Sequence, residues 1–211
     1  MDLLRGERDA EAVARVSERV AALTGLDPEL VRRRHGRVGT DEFLRELGRR
    51  AGRVASAYDA TVASPDPFPL AVVSRHPDPV LDALIAPLTS AMLDLYTRRL
   101  DWHPEGRRYE LLNRTTSREW NWGRGLGAPE SVSSLREALA LDTRLQVLVA
   151  HGLFDLVTPY FATRLILRQI PESAAGDRVR FVTYPGGHMF YAVDASRAAL
   201  RDAMRALSEA R

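Results

Sequence analysis

The 211-residue chain contains no cysteine and no lysine. Without cysteine it forms no disulfide bonds and holds no metal through thiolates. All 30 basic residues are therefore arginines, and with 28 acidic residues the formal net charge is only +2. The densest basic run, Arg32 to Arg34, contains no aromatic side chain, so it lacks the mixture of cations and aromatics typical of nucleic-acid surfaces. We therefore expect no nucleic-acid partner.

Long apolar runs are missing as well. No stretch is long and apolar enough to cross a bilayer, and residues 1–7 lack the apolar centre of a signal peptide. The sequence as written predicts no membrane span and a cytoplasmic location, whereas a leader encoded further upstream would indicate secretion. His35, His76 and His103 stand in separate polar segments without the spacing of metal ligands, so no metal site is expected.

The first part of the chain has the pattern of helices joined by turns. Apolar residues at three- and four-residue spacing predict a helix over residues 9–23, and Gly25 is predicted to end it. Asp27 is predicted to cap the next helix, with Pro28 as its first residue, because proline fits the first helical position without losing a hydrogen bond.

Further helices and one loop are predicted before residue 100. Thr40 is predicted to cap a helix over residues 41–50. Residues 64–69 contain three prolines and are predicted to be a loop. A long helix should begin at Asp78 and reach about residue 100, and Pro87 should kink or break it.

Strand and helix patterns alternate in the last third of the chain. The continuous apolar run over residues 145–150 predicts a strand buried on both faces of a parallel sheet, and residues 178–184 predict a second strand. Helices are predicted over residues 159–170 and 194–208, the latter capped by Asp194. This order is typical of the end of a doubly wound α/β fold. Two strands cannot cover both of their own faces, so the predicted sheet needs strands that the chain does not visibly contain.

One titratable residue follows each predicted strand. Asp155 comes after the first strand, and His188 comes after the second, behind Pro185-Gly186-Gly187. The carboxyl ends of parallel strands meet at one edge of a sheet, so these side chains are expected to converge. An acid followed by a histidine in this order is two-thirds of a Ser-Asp-His triad, in which histidine moves the proton and the acid orients histidine.

Ordinary structural roles are the alternative for these residues. Asp155 could cap the helix that begins near Thr158 and Pro159, and His188 could be a plain loop residue. Taken together, the order and the strand context favour the catalytic interpretation. His151 could line the same cleft, but a structural role is favoured for it.

The third member of such a triad has no candidate. The Gly-x-Ser-x-Gly sequence, which places a nucleophilic serine on a tight strand-to-helix turn, does not occur. Ser56 lies near a predicted helix end, residues 131–134 begin a helix, and Ser196 lies inside the last helix. An acid and a histidine without a hydroxyl to activate have no acyl transfer to perform.

The two strand-end segments resemble the serine carboxypeptidase family, especially its bacterial members. VLVAHGLFDLVTPY, residues 147–160, is similar to the strand and acid loop of that family, and YPGGHMFY, residues 184–191, is similar to its Gly-His-Met segment. YELLNRTTSREWNW, residues 109–122, is similar to the segment that precedes the last strands. The helix around Phe43 and YDATVASPDP, residues 58–67, resemble part of the helical insertion that covers the family's active site.

The resemblance implies a fold, an activity and site residues. The fold would be the C-terminal part of an α/β-hydrolase, residues 126–211, preceded by a mostly helical, cap-like region, residues 1–125. Asp155 would be the triad acid, His188 the general base, and Met189 a residue beside the substrate cleft. The activity would be hydrolysis of the C-terminal bond of a peptide, without a cofactor.

The family's glycine-rich oxyanion segment and its serine segment have no match in the chain. One hypothesis is therefore that the chain is the C-terminal portion of a serine carboxypeptidase and is inactive alone, with a peptide as the substrate of the full-length protein. The alternative is a non-catalytic helical interaction module, or an oligomerising remnant of a hydrolase, that binds a partner or forms a homo-oligomer. An esterase using the same C-terminal segments is a third hypothesis.

Overall fold

The computed structural model describes residues 9–70, 77–103, 106, 108–123, 130–172 and 176–209. The chain divides into two compact units, Met1–Val80 and Leu81–Arg211. The predicted division between residues 125 and 126 falls outside the described residues and stays a prediction. His76 also lies outside them, so the expectation that it binds no metal stays a prediction.

In its described residues, the first unit has three helices followed by a β-hairpin. The helices are α1 (Ala10–Thr24), α2 (Pro28–Arg33) and α3 (Thr40–Gly48), and a 3-10 turn, Arg49–Ala51, leads into the hairpin. Strands β1 (Arg53–Ala55) and β2 (Ala63–Pro65) pair antiparallel. A small core of Ala21, Leu26 and Val31 joins α1 to α2.

The predicted end of α1 at Gly25 and the predicted start of α2 at Asp27 and Pro28 are confirmed. The Asp27 carboxylate accepts hydrogen bonds from the amides of Glu29 and Leu30, and Pro28 is the first helical residue. These two amide hydrogen bonds lower the pKa of Asp27. Burial acts to raise that pKa and is outweighed, and nearby arginines lower it further. Gly25 ends α1 in the left-handed conformation at φ +71°, which glycine adopts without strain.

Two predictions in the first unit are wrong in part. Thr40 is the first residue of α3 rather than its cap, because the carbonyl of Gly39 already accepts the amide of Phe43. Ser64 and Pro65 belong to β2 rather than to a loop. Proline is tolerated there because β2 pairs with β1 alone among the described residues, so an edge position needs no amide donor.

The second unit begins with helices. They are α4 (Leu81–Asp94), which continues as π-helical turns over Leu95–Arg99, then α5 (Arg114–Glu119) and α6 (Val132–Leu141). Pro87 lies inside α4 without ending it, so the predicted break does not occur. The helix begins three residues after Asp78, whose carboxylate instead accepts hydrogen bonds from Ser56 and the amide of Ala57.

The remaining elements alternate strand and helix. They are β3 (Val147–Gly152), α7 (Tyr160–Leu167), a 3-10 turn over Gly176–Arg178, β4 (Val179–Tyr184), a 3-10 turn over Phe190–Ala192, and α8 (Asp194–Glu209). Asp194 is therefore the first residue of α8 rather than its cap. The mixed α/β character predicted from the sequence is confirmed at this level.

β3 and β4 form a two-stranded parallel sheet in which Val147 faces Val179 and Gly152 faces Tyr184. β3 is half-buried along most of its length, so the prediction that it is buried on both faces is wrong for the described residues. The physical reason is that β4 is its single strand neighbour among them. Its apolar sequence is that of a central strand, but its position is at an edge.

Candidate active site

Asp155 and His188 lie at the same edge of the β3–β4 sheet. Asp155 follows the last residue of β3 by three positions, and His188 follows the last residue of β4 by four. Because the two strands are parallel and in register, both loops leave the sheet at its carboxyl end. Strand direction therefore brings together two residues that are 33 positions apart in the chain.

The two side chains form a hydrogen bond. Nδ1 of His188 lies 2.9 Å from Oδ2 of Asp155. The Asp155 side chain is only 3% exposed, whereas that of His188 is 36% exposed. A buried acid behind a partly exposed imidazole is the arrangement that orients a general base. The structure thus brings the two predicted residues together, and their catalytic roles stay predictions.

Backbone and side-chain donors of the following turn hold the Asp155 carboxylate. Oδ1 accepts the amides of Val157 at 2.8 Å and Thr158 at 3.0 Å, and Oδ2 accepts the Thr158 hydroxyl at 2.7 Å. Burial acts to raise the pKa of Asp155, but the hydrogen bonds from Thr158 and His188 outweigh burial and hold that pKa below its ordinary value. Asp155 is therefore a carboxylate at neutral pH.

The alternative role for Asp155 as cap of the next helix does not match the geometry. α7 begins at Tyr160, and the residue at its cap position is Pro159, which makes no side-chain cap. Asp155 instead closes the turn that precedes the helix. This turn fixes the carboxylate so that one oxygen faces His188.

Backbone hydrogen bonds join the acid loop, which follows β3 and carries Asp155, to the histidine loop, which follows β4 and carries His188. The amide of Leu153 donates to the carbonyl of Tyr184 at 2.9 Å, and the amide of Phe154 donates to the carbonyl of Gly186 at 3.0 Å. A Cβ atom on Gly152 would lie 1.8 Å from the carbonyl oxygen of Gly187, so only glycine permits this approach. The backbones of the two loops are therefore held directly against each other.

A ring contact and a buried hydrogen bond also anchor the histidine loop. The rings of Tyr184 and Phe190 stack with centroids 5.2 Å apart, and both residues are buried. Ser196 of α8 is also buried, and its hydroxyl donates to the carbonyl of Pro185 at 2.6 Å. The sequence patterns did not identify these anchors, because each joins residues from different elements.

The other predicted site residues occupy neighbouring positions. His151, the fifth residue of β3, has Nδ1 3.1 Å from the carbonyl oxygen of Thr158, and its ring lies 5.6 Å from that of Phe181. Its role in these contacts is structural. Met189 is half-buried directly after His188, where its carbonyl accepts the amide of Ala192. Its role beside a substrate cleft stays a prediction.

Of the three serines that are buried among the described residues, Ser17 lies inside α1, and the other two have hydrogen-bond partners outside the pair. Ser56, which is fully buried in the first unit, donates its hydroxyl to Oδ1 of Asp78 at 2.7 Å. Ser196 is bound to Pro185, as described above. Neither residue sits on a strand-to-helix turn, so neither has the position of a triad nucleophile.

A cavity of about 340 Å³ lies between α7 and β4. Its lining includes Arg164, Leu167, Ile170 and Phe181. Val179, the first residue of β4, also lines it, so the cavity is near the start of that strand, whereas His188 follows the strand's end. The Asp155–His188 pair does not line this cavity.

Within the described ranges, no group of three or more histidine, aspartate and glutamate side chains is arranged to hold a metal ion. The helices of those ranges include none that is long and apolar enough to cross a membrane.

No family model, curated protein or solved structure matches the chain. The resemblance to serine carboxypeptidases therefore stays a prediction that depends on the two strand-end segments. The mixed α/β character and the geometry of the Asp155–His188 pair come from the structure itself.

Proposed function

We propose that this chain is the acid- and histidine-bearing portion of a serine-type hydrolase, and that the full-length protein is a serine carboxypeptidase acting on peptides. The observation that carries the proposal is the 2.9 Å contact between His188 Nδ1 and the buried carboxylate of Asp155. The order of the two residues along the chain and their position after parallel strands agree with it.

In this proposal the nucleophile is a serine hydroxyl supplied by another segment of polypeptide. A proton on His188 Nδ1, held by Asp155, leaves the lone pair of the neutral ring on Nε2. Nε2 takes the hydroxyl proton as the serine oxygen attacks the scissile carbonyl carbon, and it returns that proton to the leaving amine. Water then releases the acyl group by the same proton transfers in reverse. Asp155 remains ionised throughout and stabilises the imidazolium.

Exposed apolar side chains around the pair support the presence of such a segment. Several side chains of the acid loop, α7 and the turn before α8 are more than a third exposed. They are Leu153, Phe154, Val157, Phe161, Leu165, Ile166, Tyr191 and Val193. Exposed apolar side chains grouped in neighbouring elements in this way support a binding surface. Further strands beside β3 would cover it and complete the sheet.

The same surface supports the alternative, a non-catalytic interaction module or an oligomerising remnant of a hydrolase. In that case the exposed side chains bind a protein partner or a second copy of the chain. This alternative predicts a soluble oligomer with a cooperative unfolding transition when the chain is expressed alone, and light scattering measures its mass.

The deciding experiment expresses a longer product that includes the coding sequence immediately upstream. Release of the C-terminal amino acid from a blocked dipeptide is compared with cleavage of an ester, which separates a carboxypeptidase from an esterase. We expect His188→Ala and Asp155→Asn to lower kcat/KM by about three to four powers of ten each, because the base and its orienting acid act as a unit.

A matched control is available on the surface. Asp101 and His103 form an exposed pair, with Nε2 3.3 Å from Oδ1. Asp101→Asn and His103→Ala make the same chemical changes and should leave kcat/KM unchanged. No hydrolysis by the longer product, or hydrolysis that survives His188→Ala, would refute the proposal. The chain alone should hydrolyse neither substrate and should not react with a fluorophosphonate probe for activated serines.

A further inference from the structure

Thr158 contacts the Asp155–His188 pair more extensively than its place in a turn requires. Its hydroxyl donates to Asp155 Oδ2 at 2.7 Å, and this is the same oxygen that faces His188 Nδ1 at 2.9 Å. Its amide donates to the other carboxylate oxygen at 3.0 Å. Thr158 thus contacts both oxygens of the acid, which prevents rotation of the carboxylate about its last bond.

The Thr158 hydroxyl also lies beside the imidazole. Its oxygen is 3.4 Å from His188 Nδ1. A threonine hydroxyl has one proton, and the short contact with Asp155 uses it, so the oxygen presents lone pairs towards Nδ1. Both oxygens near Nδ1 are then acceptors. This surrounding favours the tautomer with a proton on Nδ1, the tautomer that a general base needs.

His151 holds Thr158 from the strand. Its Nδ1 is 3.1 Å from the carbonyl oxygen of Thr158, and a carbonyl only accepts, so the ring nitrogen donates. The His151 ring lies beside Phe181 of β4 at an interplanar angle of 30°. The backbone of Thr158 is therefore tied to both strands of the sheet through one side chain.

We propose that Thr158 is the positioning residue of the Asp155–His188 pair, fixing the orientation of the carboxylate and the tautomer of the imidazole, and that His151 holds Thr158 in place from β3. This role rests on the proposed function for its purpose, but its physical content is a property of the chain alone. Thr158 does not touch the reacting atoms.

The test measures how fast the Nδ1 proton of His188 exchanges with water. In proton NMR of the nitrogen-labelled chain, a proton held between imidazole and carboxylate gives a signal far downfield of the amides, and His188→Gln assigns it. Thr158→Val removes the hydroxyl and keeps the shape. We expect exchange about tenfold faster in this variant, since a hydrogen bond to a carboxylate is lost. Thr158→Ser keeps the hydroxyl and should stay within about twofold of the parent.

Two further variants make the result specific. Thr183→Val makes the same change at an exposed threonine of β4 and should leave the exchange rate unchanged. His151→Phe keeps a ring beside Phe181 but removes the donor to Thr158, and should speed exchange about threefold. If Thr158→Val does not fold, the exchange rate in His151→Phe decides whether Thr158 positions the pair.

The outcomes separate this proposal from the proposed function. A visible signal whose exchange is the same in the parent, Thr158→Val and His151→Phe overturns the positioning role while the pair remains. A folded parent without the signal overturns both the role and the pair. If the expected NMR pattern is found but the longer product hydrolyses neither substrate, the positioning role stands and the hydrolase function falls.

Discussion

Asparagine in place of Asp155 should destabilise the second unit at neutral pH and have much less effect in acid. Asparagine can still accept the amides of Val157 and Thr158 at Oδ1. At Oδ2 it loses the charge that accepts from the Thr158 hydroxyl and from His188. A hydrogen bond to a charged group contributes about 1.5–3 kcal/mol. Since partial compensation by the new amide is expected, we predict a loss of about 2–3 kcal/mol in the free energy of unfolding.

The pH dependence follows from the lowered pKa of Asp155. An unfolded aspartate has a pKa of about 3.9, so on acidification the unfolded carboxyl binds its proton before the folded one does. The stability from the ionised group is therefore complete above the unfolded pKa and is lost as the pH falls through the lower folded pKa. Below that value the parent carries a neutral side chain, as the asparagine variant does, and the difference between them should shrink.

Tryptophan fluorescence during urea unfolding measures this difference, because all three tryptophans belong to the second unit. Parent and variant are compared at about pH 7 and at decreasing pH to about 3. Asp177→Asn, at an exposed position of the same unit, is the control and should change stability by less than about 0.5 kcal/mol. Equal stability of parent and Asp155→Asn at neutral pH, or a difference that persists undiminished in acid, would refute this reasoning.

Two further substitutions test how the loops are held. Gly152→Ala would place a Cβ 1.8 Å from the carbonyl oxygen of Gly187, so it should destabilise the second unit by about 2–3 kcal/mol and weaken the His188 Nδ1 signal. Ser196→Ala removes the buried hydrogen bond to Pro185 and should cost about 1–2 kcal/mol in urea unfolding. A tolerated Gly152→Ala, or a Ser196→Ala variant as stable as the parent, would contradict the described packing.

Local chemistry explains why several predictions from the sequence are confirmed. The side chain of Asp27 and the fixed φ of Pro28 start α2 without help from distant residues, and Gly25 ends α1 in the same local way. The predictions for Thr40 and Pro65, and that of a break at Pro87, are wrong because each depends on a neighbouring carbonyl, a strand partner or the surrounding helix. Such partners leave little trace in a local pattern.

The sequence by itself determined the order of strands and helices in the last third of the chain and the positions of Asp155 and His188 after two strands, but not the β1–β2 hairpin of the first unit. Parallel pairing then makes their convergence a matter of strand direction. Only the tertiary structure decided the 2.9 Å contact between His188 and Asp155, the hydrogen bonds from the Thr158 amide and hydroxyl to the Asp155 carboxylate, and the approach of Gly152 to Gly187. The first and the last of these contacts join residues far apart in the chain and are set by register and packing, whereas the Thr158 contact fixes the turn that carries Asp155. The apolar run predicts the strand β3 correctly, but how deeply the strand is buried depends on which strands lie beside it.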